Sequence, residues 1–133
     1  MKLGVPMEPA GETRVAIAPS SMKKLLKAGF EIFIEKGAGK AANYLDVDYE
    51  SAGAKISTRE EVLSCETIIS IRFPGIEGVA KGTRIACVAD PFRNPQYVQS
   101  CIDAGITLLS MDMIPRRLSR AQSMDVNSSQ DNL

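Results

Sequence analysis

Histidine is absent from this chain, and so is tryptophan. Without an imidazole there is no Ser-His-Asp or Cys-His catalytic set, no histidine metal ligand and no histidine general acid. Basic and acidic residues balance at 16 each, which removes the electrostatic footprint of a dedicated nucleic-acid binder or a polybasic membrane binder. No apolar run approaches the roughly 20 residues needed to span a bilayer. The start, Met1-Lys2-Leu3-Gly4-Val5-Pro6, lacks the hydrophobic stretch of a signal peptide. These absences lead us to expect a cytoplasmic protein with no nucleic-acid partner. Cysteine is scarce too: Cys65, Cys87 and Cys101 are widely spaced in apolar surroundings, with no CxxC pairing. They read as core thiols, and no metal site is expected.

What is present is a repeated phrase. A helical run, then Ala-Gly, then an apolar run occurs at Leu25-Leu26-Lys27-Ala28-Gly29 before Phe30-Glu31-Ile32-Phe33-Ile34, and at Tyr49-Glu50-Ser51-Ala52-Gly53 before Ala54-Lys55-Ile56. It returns at Cys101-Ile102-Asp103-Ala104-Gly105 before Ile106-Thr107-Leu108-Leu109. Glycine enters the left-handed conformation that closes a helix at little cost, so each phrase predicts a helix end turning back into a strand. Helix alternating with strand implies a parallel sheet. In 133 residues, 44% of them apolar, one such domain fits.

Strands are expected over Lys2 to Val5, Glu31 to Ile34, Lys55 to Ile56, Thr67 to Ile71, Arg84 to Val88 and Ile106 to Leu109, as apolar runs suited to burial on both faces. Asn94-Pro95 supplies an N-cap and a proline for a helix whose Val98, Cys101 and Ile102 share one face. Thr58-Arg59-Glu60-Glu61 fits a capping box. Pro19 opens the first helix, capped by Ser20 or Ser21, with Met22, Leu25 and Leu26 toward the core.

In an open α/β sheet the ligand lies at the carboxyl ends of the strands, so chemistry is sought in those loops. Arg14, between the first strand and first helix, reaches either a ligand carboxylate and the Asp125 loop, or its neighbours Glu8 and Glu12. Arg72 is either a ligand cation or a plain strand-terminal charge. Asp90-Pro91-Phe92-Arg93-Asn94-Pro95 reads as loop and helix start, and Gly37-Ala38-Gly39 as a turn, since no dinucleotide glycine fingerprint occurs. The terminal run Pro115-Arg116-Arg117-Leu118-Ser119-Arg120-Ala121-Gln122-Ser123-Met124-Asp125 offers a guanidinium fork, an amide and an acceptor to one polar ligand, or else pairs with itself in an interface or linker.

Several stretches together resemble a known family. Lys2-Leu3-Gly4-Val5-Pro6, Glu12-Thr13-Arg14-Val15-Ala16 with Pro19, Glu35-Lys36-Gly37-Ala38-Gly39, Asp48-Tyr49-Glu50 with Ala52-Gly53-Ala54, and Ser119-Arg120-Ala121-Gln122-Ser123-Met124-Asp125 are similar to the N-terminal domain shared by alanine dehydrogenases and the alpha subunit of proton-translocating nicotinamide nucleotide transhydrogenase. The last motif is similar to the transhydrogenase loop that holds the nicotinamide end of NAD(H), a loop alanine dehydrogenases lack. The substrate-binding lysine of alanine dehydrogenase would fall at Arg72, and its catalytic histidine within Val88 to Asn94, where this chain has none.

The resemblance implies a flavodoxin-like three-layer α/β sandwich with a mostly parallel sheet over residues 1–125, followed by 126–133 as a frayed tail or the start of an interdomain helix. It implies that Gln122 and Asp125 serve hydride transfer. Arg117 by counting back from Gln122, or Arg116 by its place after Pro115, would hold the cofactor together with Gln122, Asp125 and Ser128. NAD(H) would be completed by a following Rossmann domain, and NADP(H) would sit on a partner domain. Membrane and NADP-binding subunits would be the partners, with a homodimer of the full subunit held peripherally at the inner membrane. By itself this stretch is expected to be inactive. An alanine-type dehydrogenase domain and a non-catalytic partner-binding remnant are the alternatives.

Overall fold

The computed structural model describes residues 1–111. Its elements run β1 (Lys2–Val5), α1 (Met22–Lys27), β2 (Glu31–Glu35), α2 (Asp46–Ser51), β3 (Lys55–Ser57), α3 (Arg59–Leu63), β4 (Thr67–Ile69), β5 (Arg84–Cys87), α4 (Pro95–Ala104) and β6 (Thr107–Ser110). The three Ala-Gly phrases do close helices: Gly29, Gly53 and Gly105 stand at φ 96°, 105° and 72°. After α4 the Ile106 N–H then donates to the Cys101 carbonyl at 2.8 Å, which launches β6.

The six strands form one sheet in the order β3-β2-β1-β4-β5-β6, and every neighbouring pair is parallel. Side chains alternate between its two faces. Leu3, Val5, Ile32 and Ile34 look to one face, where they pack with Met22 of α1, Tyr49 of α2, Ile17 and Ala54. Gly4 looks to the other, where α3 lies so close that a Cβ would collide with the Val62 carbonyl. On that second face Ile68, Ile85 and Cys87 pack with Leu63, Ile106 and Cys101 of α4. The chain therefore steps outward from β1 to β3 over the first face, then crosses back and runs from β4 to β6 over the second. This is the doubly wound arrangement that same-handed crossovers produce when the direction of travel reverses. The reversal falls between β1 and β4, so their exit loops diverge and leave a cleft at the carboxyl edge.

The structure corrects several local expectations. β4 ends at Ile69 and β5 at Cys87, although a bond from the Val88 N–H to the Ile71 carbonyl, 2.9 Å, carries the pairing slightly further. Neither Ser20 nor Ser21 caps α1 through its side chain: both sit in a 3-10 turn over Pro19–Ser21, with the Ser21 N–H on the Ala18 carbonyl. Leu26 is 36% exposed, because six helical residues bring only Met22 and Leu25 onto the sheet and leave Leu26 at the rim beside Gly53. Ile102 is 65% exposed, on the outer side of α4, while Cys101 takes the inner one. β6 is an edge strand with Leu109 exposed, rather than a strand buried on both faces.

Candidate ligand cleft

Two carboxylates from the loop after β1 reach across the switch point to the end of β4. Glu8 accepts from the Ile71 N–H at 2.7 Å and the Arg72 N–H at 2.9 Å, closing off backbone donors that the sheet leaves open. Glu12, with a side chain only 5% exposed, accepts from Arg14 Nε at 2.8 Å and Nη2 at 3.0 Å, from the Arg14 backbone N–H at 3.0 Å, and from Arg72 Nε at 2.8 Å. One carboxylate thus fixes two guanidiniums from different strands' exit loops. The side-chain bonds from Arg14, then those from Arg72, then the Arg14 backbone N–H, hold the Glu12 carboxyl well below the usual carboxylate range, so it stays charged at any ordinary pH. The trio carries an excess positive charge, and both arginine side chains remain more than half exposed, with donors free to face a ligand.

Those two arginines line a cleft of about 540 Å³ with Pro9, Asp90, Arg93 and Tyr97. Tyr97 of α4 stacks on Phe73 at 4.4 Å between ring centres and 23° between planes, giving the cleft a firm aromatic floor. Asp90 takes the left-handed conformation, φ 46°, and the turn it makes is tied down by Asn94, whose Nδ2 donates to the Ala89 carbonyl at 3.1 Å and the Asp90 carbonyl at 3.2 Å. Arg93 Nε stands 3.5 Å from Asp90 Oδ2 on the same turn. Behind the cleft, the loop that carries Arg14 is anchored by Tyr49, fully buried, whose hydroxyl donates to the Ile17 carbonyl at 2.7 Å. Burial first, and Tyr44 second, push that phenol up to about 12, so it remains a donor. With guanidinium donors on two sides and an aromatic floor, the cleft is equipped to grip and orient a polar or anionic group.

Of the sequence-predicted residues, Arg14 and Arg72 are brought together, through a shared partner that the sequence pattern assigned only to Arg14. The Asp90 to Pro95 stretch has both roles: it is a loop and helix start, and it also lines the cleft. Asn94 precedes α4 but makes no side-chain cap, since its amide turns back to the Asp90 turn. Gly37 lies in a turn, its N–H on Asp46 Oδ1 at 2.9 Å. Arg116, Arg117, Gln122, Asp125 and Ser128 lie outside the described residues. The three cysteines are buried and unbridged, and burial raises the Cys65 and Cys101 thiols, which suits inert core groups. Among the described residues no cluster could hold a metal ion, and no helix is long and apolar enough to cross a membrane.

Comparison with known proteins bears on this cleft. The family model described as alanine dehydrogenase/PNT, N-terminal domain, matches residues 4–133. An NAD(P) transhydrogenase alpha subunit of Rhodospirillum rubrum is 39% identical over 144 aligned residues, covering all of this chain and 37% of that protein. A solved transhydrogenase from Sinorhizobium meliloti superposes with a TM-score of 0.85 at 33% identity, over 94% of this chain and 39% of that one. A solved L-alanine dehydrogenase gives a TM-score of 0.77 at 28% identity, over 83% of this chain and 32% of that one. The chain thus spans little more than a third of the length of the relatives it matches. Matched over nearly its whole length, it belongs to the alanine dehydrogenase/PNT N-terminal domain family, with the alanine dehydrogenases its more distant relatives.

Proposed function

We propose that the chain is the N-terminal part of a transhydrogenase alpha subunit, and that its cleft helps position the nicotinamide end of NAD(H) for hydride transfer to NADP(H) on a partner domain, coupled to proton translocation. The observation that carries the reading is the cationic cleft at the β1/β4 switch point, in a chain 39% identical throughout to a transhydrogenase alpha subunit. The residues present fit one end of a nicotinamide cofactor, offering guanidinium donors for carbonyl or phosphate oxygens and the stacked Phe73–Tyr97 pair as a flat wall. They do not fit the whole of it. No glycine-rich strand-turn-helix fingerprint occurs in the sequence, so the pyrophosphate would be held by a domain outside this segment.

The cofactor supplies the hydride chemistry when bound, and this chain's residues orient it. Arg117 or Arg116, Gln122 and Asp125 would fix the carboxamide and its surroundings, with Ser128 in support. Membrane and NADP-binding subunits, and a second copy of the full subunit, are the partners of this reading, with the assembly peripheral to the inner membrane. An alanine-type dehydrogenase is the weaker alternative, because the chain has no histidine to donate a proton and has arginine at position 72. The test replaces the matched segment of the Rhodospirillum rubrum subunit with this chain and assays it with that relative's partner subunits. In this chimera Asp125→Asn and Gln122→Asn should each slow hydride transfer by about tenfold or more, with NADH affinity changed far less, because orientation acts on rate more than on binding. If both variants stay within about twofold of the parent rate, the terminal run is an interface or linker and the site assignment fails.

A further inference from the structure

The two faces of the sheet are covered unequally. Crossovers toward β3 place α1 and α2 on the first face, and those toward β6 place α3 and α4 on the second, so among the described residues no helix covers the first face over β5 and β6. The register makes the imbalance visible in one row. Val5, Ile69, Ala86 and Leu109 are neighbours across β1, β4, β5 and β6; Val5 is fully buried, Ile69 and Ala86 are partly so, and Leu109 is 51% exposed. Val88 and Met111, two residues further along β5 and beyond β6, are 45% and 46% exposed. Leu108 and Cys87 turn to the opposite face and pack with or near α4. A parallel sheet is ordinarily covered on both faces, and an apolar patch left open on one of them marks a contact surface.

We infer that an amphipathic helix, belonging to the part of the subunit outside this segment, lies across β5 and β6 on this face and buries Val88, Leu109 and Met111. The inference rests on the proposed function, since the relatives carry well over half their length beyond the matched region. A helix suits the position because its backbone is satisfied internally and needs only a stripe of apolar side chains at spacings of three and four. The amino end of the same face is polar. Arg84 lies exposed there, its Nε on Thr67 Oγ1 at 3.2 Å, and calls for an acidic residue or the carbonyl end of the helix. At the carboxyl end Ile71 and Val88 also line the ligand cleft, so the incoming helix would wall one side of it. The cleft is then built in two pieces.

The test uses the chimeric subunit with a photo-crosslinking phenylalanine analogue in place of Leu109 and, separately, in place of Leu45, exposed at the start of α2. Leu109 should crosslink to one helix of the same polypeptide outside residues 1–133, and Leu45 should not reach that helix. Crosslinking of Leu109 to a second copy, or to no helix in a chimera that binds NADH, overturns the inference. A Leu109 crosslink to the helix in a chimera that binds no NADH keeps it and sinks the nucleotide reading instead. A second measurement needs only the 133-residue chain. It should be a monomer by light scattering, and Leu109→Lys should cut the fluorescence of an apolar-surface dye by about twofold while leaving the melting temperature within about 2 °C. A dimer that Leu109→Lys dissociates would make the second copy the occupant and overturn the proposal.

Discussion

At Glu12 a single carboxylate, 5% exposed, accepts from Arg14 and Arg72 together. Its folded-state pKa is depressed, so its contribution to stability is complete above the unfolded value of about 4.3 and is lost as the pH falls below it. The melting temperature should therefore drop between about pH 5 and pH 3, and Glu12→Gln should lower it at neutral pH and flatten that acid slope. Thermal melts at both pH values check this, and a variant with the parent's full acid sensitivity would place the acid-labile group elsewhere. Tyr49→Phe removes the hydroxyl that donates to the Ile17 carbonyl and should cost about 1–2 kcal/mol in denaturant melts, because a buried acceptor is left unpaired. No measurable loss would mean that the Arg14 loop is not anchored there. The sequence marked Arg14 and Arg72 by their places after strands. It did not show that they share Glu12, because the Arg72 contact spans 60 positions and depends on β1 and β4 being neighbours.

Among the elements, α1 separates what periodicity shows from what it does not. Met22, Leu25 and Leu26 all fit an inward stripe, yet Met22 is fully buried and Leu26 stands at the rim. Spacing gives a direction around the helix axis and says nothing of where a short helix runs off the sheet. Met22→Ala should cost about 3 kcal/mol, and Leu26→Ala only about 1, measured by urea unfolding. Equal losses would contradict the placement of this helix. Gly4→Ala should destabilise by about 1–3 kcal/mol, since the new Cβ would meet the Val62 backbone of α3 and neither element can shift freely. A neutral outcome would show that α3 does not pack as described. Caps with local chemistry were legible: Thr58 and Glu61 form the reciprocal box, with the Glu61 N–H donating to Thr58 Oγ1 at 3.2 Å and the Thr58 N–H to Glu61 Oε1 at 3.1 Å. The α1 cap was not legible, because Pro19 begins a 3-10 turn that takes both serines inside it.

For the whole molecule, the alternation of helix and strand was written in the Ala-Gly phrases, and with it the parallel sheet. The strand order was not, because nothing local tells β4 to turn back and pair with β1 rather than extend beyond β3. That one reversal makes the cleft, joins Arg14 to Arg72, and leaves the face over β5 and β6 uncovered. The most direct test of a nicotinamide half-site is an NMR titration of the isotope-labelled 133-residue chain with NADH. The account predicts weak binding, with a dissociation constant of about a millimolar or higher, because the pyrophosphate cradle lies outside this segment. The shifts should gather on Arg14, Arg72, the residues from Asp90 to Tyr97 and the run from Arg116 to Asp125. A dissociation constant in the low micromolar range, or a titration that leaves the cleft amides unmoved, would contradict it.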